Sequence, residues 1–319
     1  MTLRSKLLIT ATILISTLFI QCSEDNDGTD ESTGTFAVKI TDAPSDDANI
    51  QGTFVTVSEV KVDGQSVEGF SKQTIEISAY QQGDAKLLIN EAMEAETYGS
   101  VSLVLDYETD ESGESPGCYV LTDDNAKHNL AAESQTQSEM TFQSDFEVQS
   151  DTESSWVIDL DLRKAVTRED DNSTEREYKF VTSTEMQGAF RIVEEENSGE
   201  VRGNVSGTLN TDDNMYVYAY KKGEFDSSSE TQAQGNSNVL FANAVTSAKV
   251  QSDGSYTLAF LQEGDYEIHV ASYDQQSNGK SEFSALLNAN SQISGLLLND
   301  VSVSSESTVN LDIEILGLI

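Results

Sequence analysis

In the run Thr35–Thr41, Phe36, Val38 and Ile40 alternate with Ala37, Lys39 and Thr41. Successive side chains of an extended chain point to opposite faces, so this period of two gathers three apolar groups on one side. The same alternation returns in Gln73–Ser78, where Ile75 and Ile77 lie opposite Thr74 and Glu76, and in Ser100–Tyr107 and Trp156–Arg163. Clusters of Gly, Asn, Asp and Ser break these runs. Short alternating runs bounded by turn formers predict half-buried antiparallel strands. One stretch, Asp84–Thr97, reads instead as a short helix or loop. The expected class is all-β, built as two antiparallel β-sandwich domains in tandem.

The N-terminal residues carry Arg4 and Lys6 and no acid before the apolar run Leu7–Ile20. That run is shorter than the roughly 20 residues a helix needs to cross a bilayer. A basic start and a short greasy centre predict a secretion signal over residues 1–21. Phe19-Ile20-Gln21-Cys22 resembles the lipobox of bacterial lipoproteins, although Phe19 and Gln21 depart from the usual Leu and small residue. The resemblance implies a diacylglyceryl group on Cys22, which becomes the new N-terminus. The alternative is ordinary cleavage nearby, leaving a soluble secreted protein. With Cys22 acylated, Cys118 is the remaining thiol of the two cysteines; otherwise the two could pair.

Charge narrows the partners. The chain holds 18 Lys+Arg against 56 Asp+Glu, a formal charge of −38. Loss of residues 1–21 removes Arg4 and Lys6 and brings the mature chain to −40. Such a surface repels phosphate backbones and anionic headgroups, which excludes nucleic acid as a partner and leaves membrane attachment to the lipid. In residues 22–33, Glu24, Asp25, Asp27, Asp30 and Glu31 form an acidic tether. It resembles the sequence that follows the acylated cysteine in some Gram-negative lipoproteins and directs them to the cell surface. The implied location is the outer membrane, surface-exposed, with a periplasm-facing or secreted protein as the alternative. A calcium loop centred on Gly28 fails, because Ser23 and Gly34 stand where acids are needed.

A boundary is expected in Ile192–Gly203, dividing a domain over 34–192 from one over 199–319. In the second, Asp253-Gly254-Ser255-Tyr256-Thr257-Leu258 and the run Leu261–Val270 are similar to the carboxypeptidase-regulatory, transthyretin-like β-sandwich. That resemblance implies a non-catalytic spacer, with turns at Asp253-Gly254 and Glu263-Gly264-Asp265. In the first, Thr41-Asp42-Ala43-Pro44, the segment Ile75–Ile89 and the run Ile158–Val166 resemble a bacterial lipoprotein family of uncharacterised domains, domain of unknown function 4382. Thr97-Tyr98-Gly99 departs from its pattern, and the family lends no activity. Turn chemistry accounts for Asp42 as a cap beside the φ-presetting Pro44.

Candidate chemistry is sparse. Gly113–Gly117 fits G-x-S-x-G, but Pro116 lacks the amide a nucleophile elbow needs after Ser115, so a hairpin loop is expected. In a hairpin around residues 123–127, Thr122 faces His128 and Cys118 lies out of its reach, a structural thiol. His269 is expected exposed, and two histidines do not make a zinc site. Asp159 and Asp161 alternate on the face opposite Trp156, Ile158, Leu160 and Leu162. They are candidates for calcium or for a glycosidase-type carboxylate pair, against a solvated face with Arg163 as partner. Residues 167–177 read as a solvated hairpin. Tyr216, Tyr218 and Tyr220 alternate with Met215, Val217 and Ala219, and form a candidate exposed stripe for stacking on sugars or a protein. The composite expectation is a non-enzymatic envelope protein without cofactor. The alternatives are a surface glycan- or protein-binding lipoprotein and, further off, a carbohydrate-active enzyme using Asp159 and Asp161.

Overall fold

The computed structural model describes residues 32–43, 49–131, 135–169, 177–207, 214–276 and 279–319. The signal segment, Cys22, nearly all of the acidic tether, Pro44 and the centre of the 167–177 hairpin lie outside the described residues. The chain is mostly β, in several sheets.

The first sheet runs in the order Phe190–Glu194, Glu153–Asp161, Thr33–Ala43, Lys86–Glu94. Its two central strands are parallel, with Val38 beside Trp156 and Ile40 beside Ile158. The expected antiparallel order fails here because the whole second sheet intervenes in sequence, which supplies the long crossover that parallel neighbours require. That second sheet is ordered Lys127–Asn129, Tyr119–Thr122, Ile50–Val62, Thr97–Asp106, Gln137–Glu147, with the short strands Gln65–Ser66 and Gln73–Glu76 also on Ile50–Val62. The apolar faces of both sheets share one core. Phe36, Ile40, Trp156 and Ile158 from the first meet Val57, Leu103 and Phe146 from the second. Phe146 fixes the corner, edge-on to Trp156 at 4.6 Å and to Phe36 at 6.4 Å between centroids.

Residues 84–97 are a correction. Lys86–Glu94 is a strand antiparallel to Thr33–Ala43, with a bulge at Val38/Lys39. The helix formers of Glu91–Glu96 yield because a helix would leave one edge of the opening strand, buried along most of its length, without backbone partners. Gly113–Gly117 lies in a loop, and the strand Tyr119–Thr122 follows it with no helix between; the loop is not the expected hairpin, since Thr97–Asp106 and Tyr119–Thr122 pair on opposite edges of Ile50–Val62. Gly117 is required there: an added Cβ would lie 2.3 Å from the Asp106 carbonyl oxygen.

The second half is built on one path of strands: Thr246–Lys249, Asn214–Lys221, Gly264–Gln275, Ser281–Ser291, Ile313–Leu318, Ser198–Ser206, Ser255–Gln262. It too is mixed, since Ser198–Ser206 runs parallel to Thr308–Asn310 and to the start of Ile313–Leu318. Val201, Leu258, Val217, Ile268 and Val270 pack its main core. The Asp253-Gly254 turn forms as expected: Gly254 has φ +88°, and Asp253 Oδ1 accepts the Ser255 amide at 3.0 Å.

Asn214–Lys221 is buried on both faces. Val217 and Ala219 enter the main core, while Tyr216, Tyr218 and Tyr220 enter a second cluster with Phe241, Ala244 and Tyr273. The exposed tyrosine stripe is therefore corrected: the three residues are 1%, 0% and 0% exposed. The segment between this strand and Thr246–Lys249 folds back over them, and Phe241 stacks on Tyr218 at 4.2 Å. The same cover reaches His269, which stacks on Phe225 at 3.7 Å and is half-buried, not exposed.

Candidate functional site

The strand Glu153–Asp161 is buried on both faces. One side enters the core of the first half; the other carries Asp159 and Asp161 toward the second half, 4% and 6% exposed. The expected solvated sheet face is corrected accordingly. A buried carboxylate needs a partner, and each has one.

Arg191, directly opposite Asp159 on the antiparallel strand Phe190–Glu194, donates Nε at 2.8 Å and brings Nη2 to 2.7 Å from Asp159 Oδ2. Its far side spans to the second half, donating to the carbonyls of Phe260 and, at 3.1 Å, Ala259. Phe260 holds φ at +52°, a left-handed conformation that costs energy for a side chain of this size. The pairing of Ser255–Gln262, which carries Phe260, with Ser198–Ser206 slips across Gly199/Val201, opposite the same turn of chain. The irregularity lies where two consecutive carbonyls meet one guanidinium.

Asp161 ends its strand by capping the short helix Leu162–Ala165, accepting the Arg163 amide at 3.1 Å. It also accepts Arg163 Nη2 at 2.9 Å, with Lys164 Nζ at 3.5 Å. Arg163, the partner expected from the sequence, goes further: it donates to the carbonyls of Leu240 and Phe241 and lies 5.2 Å over the Tyr218 ring. Lys164 donates to the Ala244 carbonyl at 2.7 Å. Burial draws its ammonium below the ordinary lysine range, against the pull of Asp161. The helix Ser183–Ala189 adds a fourth tie. Glu185, in a capping box with Thr182, accepts the amides of Asn236 and Ser237 at 2.7 and 3.1 Å and the Ser237 hydroxyl at 2.9 Å. Partial desolvation would raise its carboxyl, but the bonds from Ser237, Thr182 and Asn236 outweigh it and hold the group at about 2. Charged side chains of the first half thus hold backbone groups of the second.

The turn expected at Asp42-Ala43-Pro44 runs out of the described residues, but Asp42 itself is placed. It is 6% exposed and accepts Gln81 Nε2 at 2.9 Å and the Leu162 amide at 3.4 Å. Burial first, with Asp159 and Asp161 nearby, pushes its carboxyl well above the usual carboxylate range.

These placements remove the basis of the carboxylate-pair readings. Asp159 and Asp161 are each engaged by an arginine, and among the described residues no group of three or more His, Cys, Asp or Glu is arranged to hold a metal ion. Cys118 is free, fully buried and structural: Sγ accepts the Thr56 amide and donates to the Asp106 carbonyl, each at 3.3 Å. Burial pushes its thiol up to about 12. In the hairpin beside it, His128 pairs with Val120 rather than facing Thr122, because the turn takes two residues fewer than expected; its Nε2 still reaches Thr122 Oγ1 at 3.1 Å.

Sequence reasoning missed Arg191, Glu185 and Glu230. Glu230 is 1% exposed and accepts the Tyr220 hydroxyl at 2.7 Å and the Asn243 amide at 3.1 Å. For Arg191 a signal existed: a base between Phe190 and Ile192 in a strand, in a chain with few bases. Among the described residues, clefts flank the seam. One of about 300 Å³ is walled by Arg163, Tyr178, Tyr273 and Phe283; one of about 430 Å³ is lined by Glu153, Glu195, Glu196, Glu200 and Glu306.

No curated protein matches the chain. Among solved structures it is similar to a leucine-rich repeat protein from Bacteroides thetaiotaomicron, at 12% identity and TM-score 0.21 over 89% of this chain and 26% of that one. It is similar to BcpA, the major pilin subunit of Bacillus cereus, at 9% identity and TM-score 0.20 over 89% and 70%. GBS52, the minor pilin of Streptococcus agalactiae, gives 12% identity and TM-score 0.21 over 88% and 95%. The chain spans about a quarter (26%) of the Bacteroides protein's length, and at these TM-scores the likenesses carry no inference. Residues 33–181, the larger part of the β-rich first half with its buried acids but short of Glu185 and Arg191, match the family described as Domain of unknown function (DUF4382), so this chain carries that domain.

Proposed function

We propose that this chain is a non-enzymatic structural module of the bacterial cell envelope. It is anchored through lipid on Cys22 at the outer membrane, and its second half acts as a carboxypeptidase-regulatory-like β-sandwich spacer. The observation that carries the reading is the engagement of Asp159, Asp161, Arg163, Lys164, Glu185 and Arg191 in holding the two halves together. Groups that a catalytic site would keep available are here tied by ion pairs and backbone bonds. The tether and the lipobox-like Phe19–Cys22 support the anchoring, and the charge of −38 supports a role outside nucleic-acid binding.

Two measurements test this. Intact-mass analysis of the protein from native membranes should find a diacylglyceryl cysteine at position 22; an unmodified N-terminus in a soluble fraction overturns the anchoring. Unfolding followed by Trp156 fluorescence, which reports the first half, and by a probe in the second half should give coincident transitions. Two well-separated transitions would overturn the single structural unit.

A further inference from the structure

A cavity of about 20 Å³ lies at the seam, lined by Asp42, Gln81 and Asp159 from the first half and by Ser247, Thr257 and Phe260 from the second, among others. Two of its lining side chains are more than nine-tenths buried and have an atom without a hydrogen-bond partner: Asp159 Oδ1 and Ser247 Oγ, in residues each 4% exposed. Buried polar atoms are almost always satisfied, and a polar cavity above about 10–15 Å³ holds one water if two to four polar groups face it.

We propose that this cavity is a binding site for one water molecule, which bridges Asp159 Oδ1, Ser247 Oγ and the carboxyl group of Asp42 across the seam. Arg191 takes Asp159 Oδ2 at 2.7 Å, which leaves Oδ1 as a carboxylate oxygen that accepts, and the occupant must bring a donor. Water brings two donors and two acceptors. One donor satisfies Asp159, and its oxygen accepts from Ser247 and from Asp42. Asp42 is suited to donate, since burial favours its protonated form. A metal ion would also satisfy the acceptor, but with Asp42 protonated the two carboxyl groups of Asp159 and Asp161 already face three basic side chains, Arg163, Lys164 and Arg191, so a further cation is disfavoured.

The test is an atomic-resolution crystal structure of the full chain and of its Asp42→Asn and Ser247→Ala variants. The wild type should show a single peak about 2.6–3.2 Å from Asp159 Oδ1 and Ser247 Oγ. Asp42→Asn should keep it, because an amide supplies the donor that a protonated carboxyl would. Ser247→Ala should weaken it. An empty wild-type cavity overturns the proposal, as does a peak with six or more oxygens at about 2.3–2.6 Å, which marks a calcium-like ion. Carbon-13 spectra that report Asp42 ionised at neutral pH would overturn its role as donor.

Discussion

Asp159 and Arg191 oppose each other on adjacent antiparallel strands, and their 2.7 Å contact is the inner end of a bridge whose outer end grips the carbonyls of Ala259 and Phe260. Removing the guanidinium would strand a buried carboxylate and release two carbonyls at once. Arg191→Ala is expected to cost about 3–5 kcal/mol in denaturant unfolding. Arg191→Lys should rescue little, because one ammonium cannot reach both ends. Pairing Arg191→Ala with Asp159→Asn should recover part of the loss, since the uncompensated charge is then gone.

Tyr220 and Glu230 make a second buried pair under the cover of the tyrosine cluster. Tyr220→Phe keeps the packing and removes one hydrogen bond to a charged group, an expected loss of about 1.5–3 kcal/mol. Hydrogen exchange should rise mainly in residues 222–245, which the tyrosines hold down, and little in the first half.

Glu185 gives the seam a pH dependence of known sign. Its folded value is depressed to about 2 from an ordinary 4.5. Its contribution is therefore full above the unfolded value and lost as pH falls from about 4.5 through about 2. Glu185→Gln should be less stable than wild type at neutral pH, and the gap should close over that window. Stability curves of the two proteins that stay parallel down to pH 2 would contradict the assignment.

Cys118 should be inert in the folded protein, since burial holds its thiol up to about 12 and leaves no solvent path. A thiol reagent should find no reactive group before denaturation. If Cys22 is acylated, it should find one afterwards; if the two cysteines were paired, it would find none without a reductant.

By itself the sequence determined the β class and most strand positions. Alternation such as Phe36-Val38-Ile40 or Ile75-Ile77 depends only on the pleat, a local property of the chain. It also determined the Asp253-Gly254 turn, where a left-handed residue is needed locally, and the Arg163 partner of Asp161, two residues away. Tertiary structure decided what covers the second face of each strand. Tyr216, Tyr218, Tyr220, Asp159 and Asp161 all lie opposite an apolar face, and a period of two gives that opposite face to solvent unless something distant in sequence packs on it. Here residues 222–245 and the second half do so. The parallel pairing of Thr33–Ala43 with Glu153–Asp161, and the strand made from the helix formers of 84–97, were likewise set by backbone partners far along the chain. Hydrogen bonding between distant segments overrides local propensity because an unpaired buried backbone group costs more than an unfavourable residue preference.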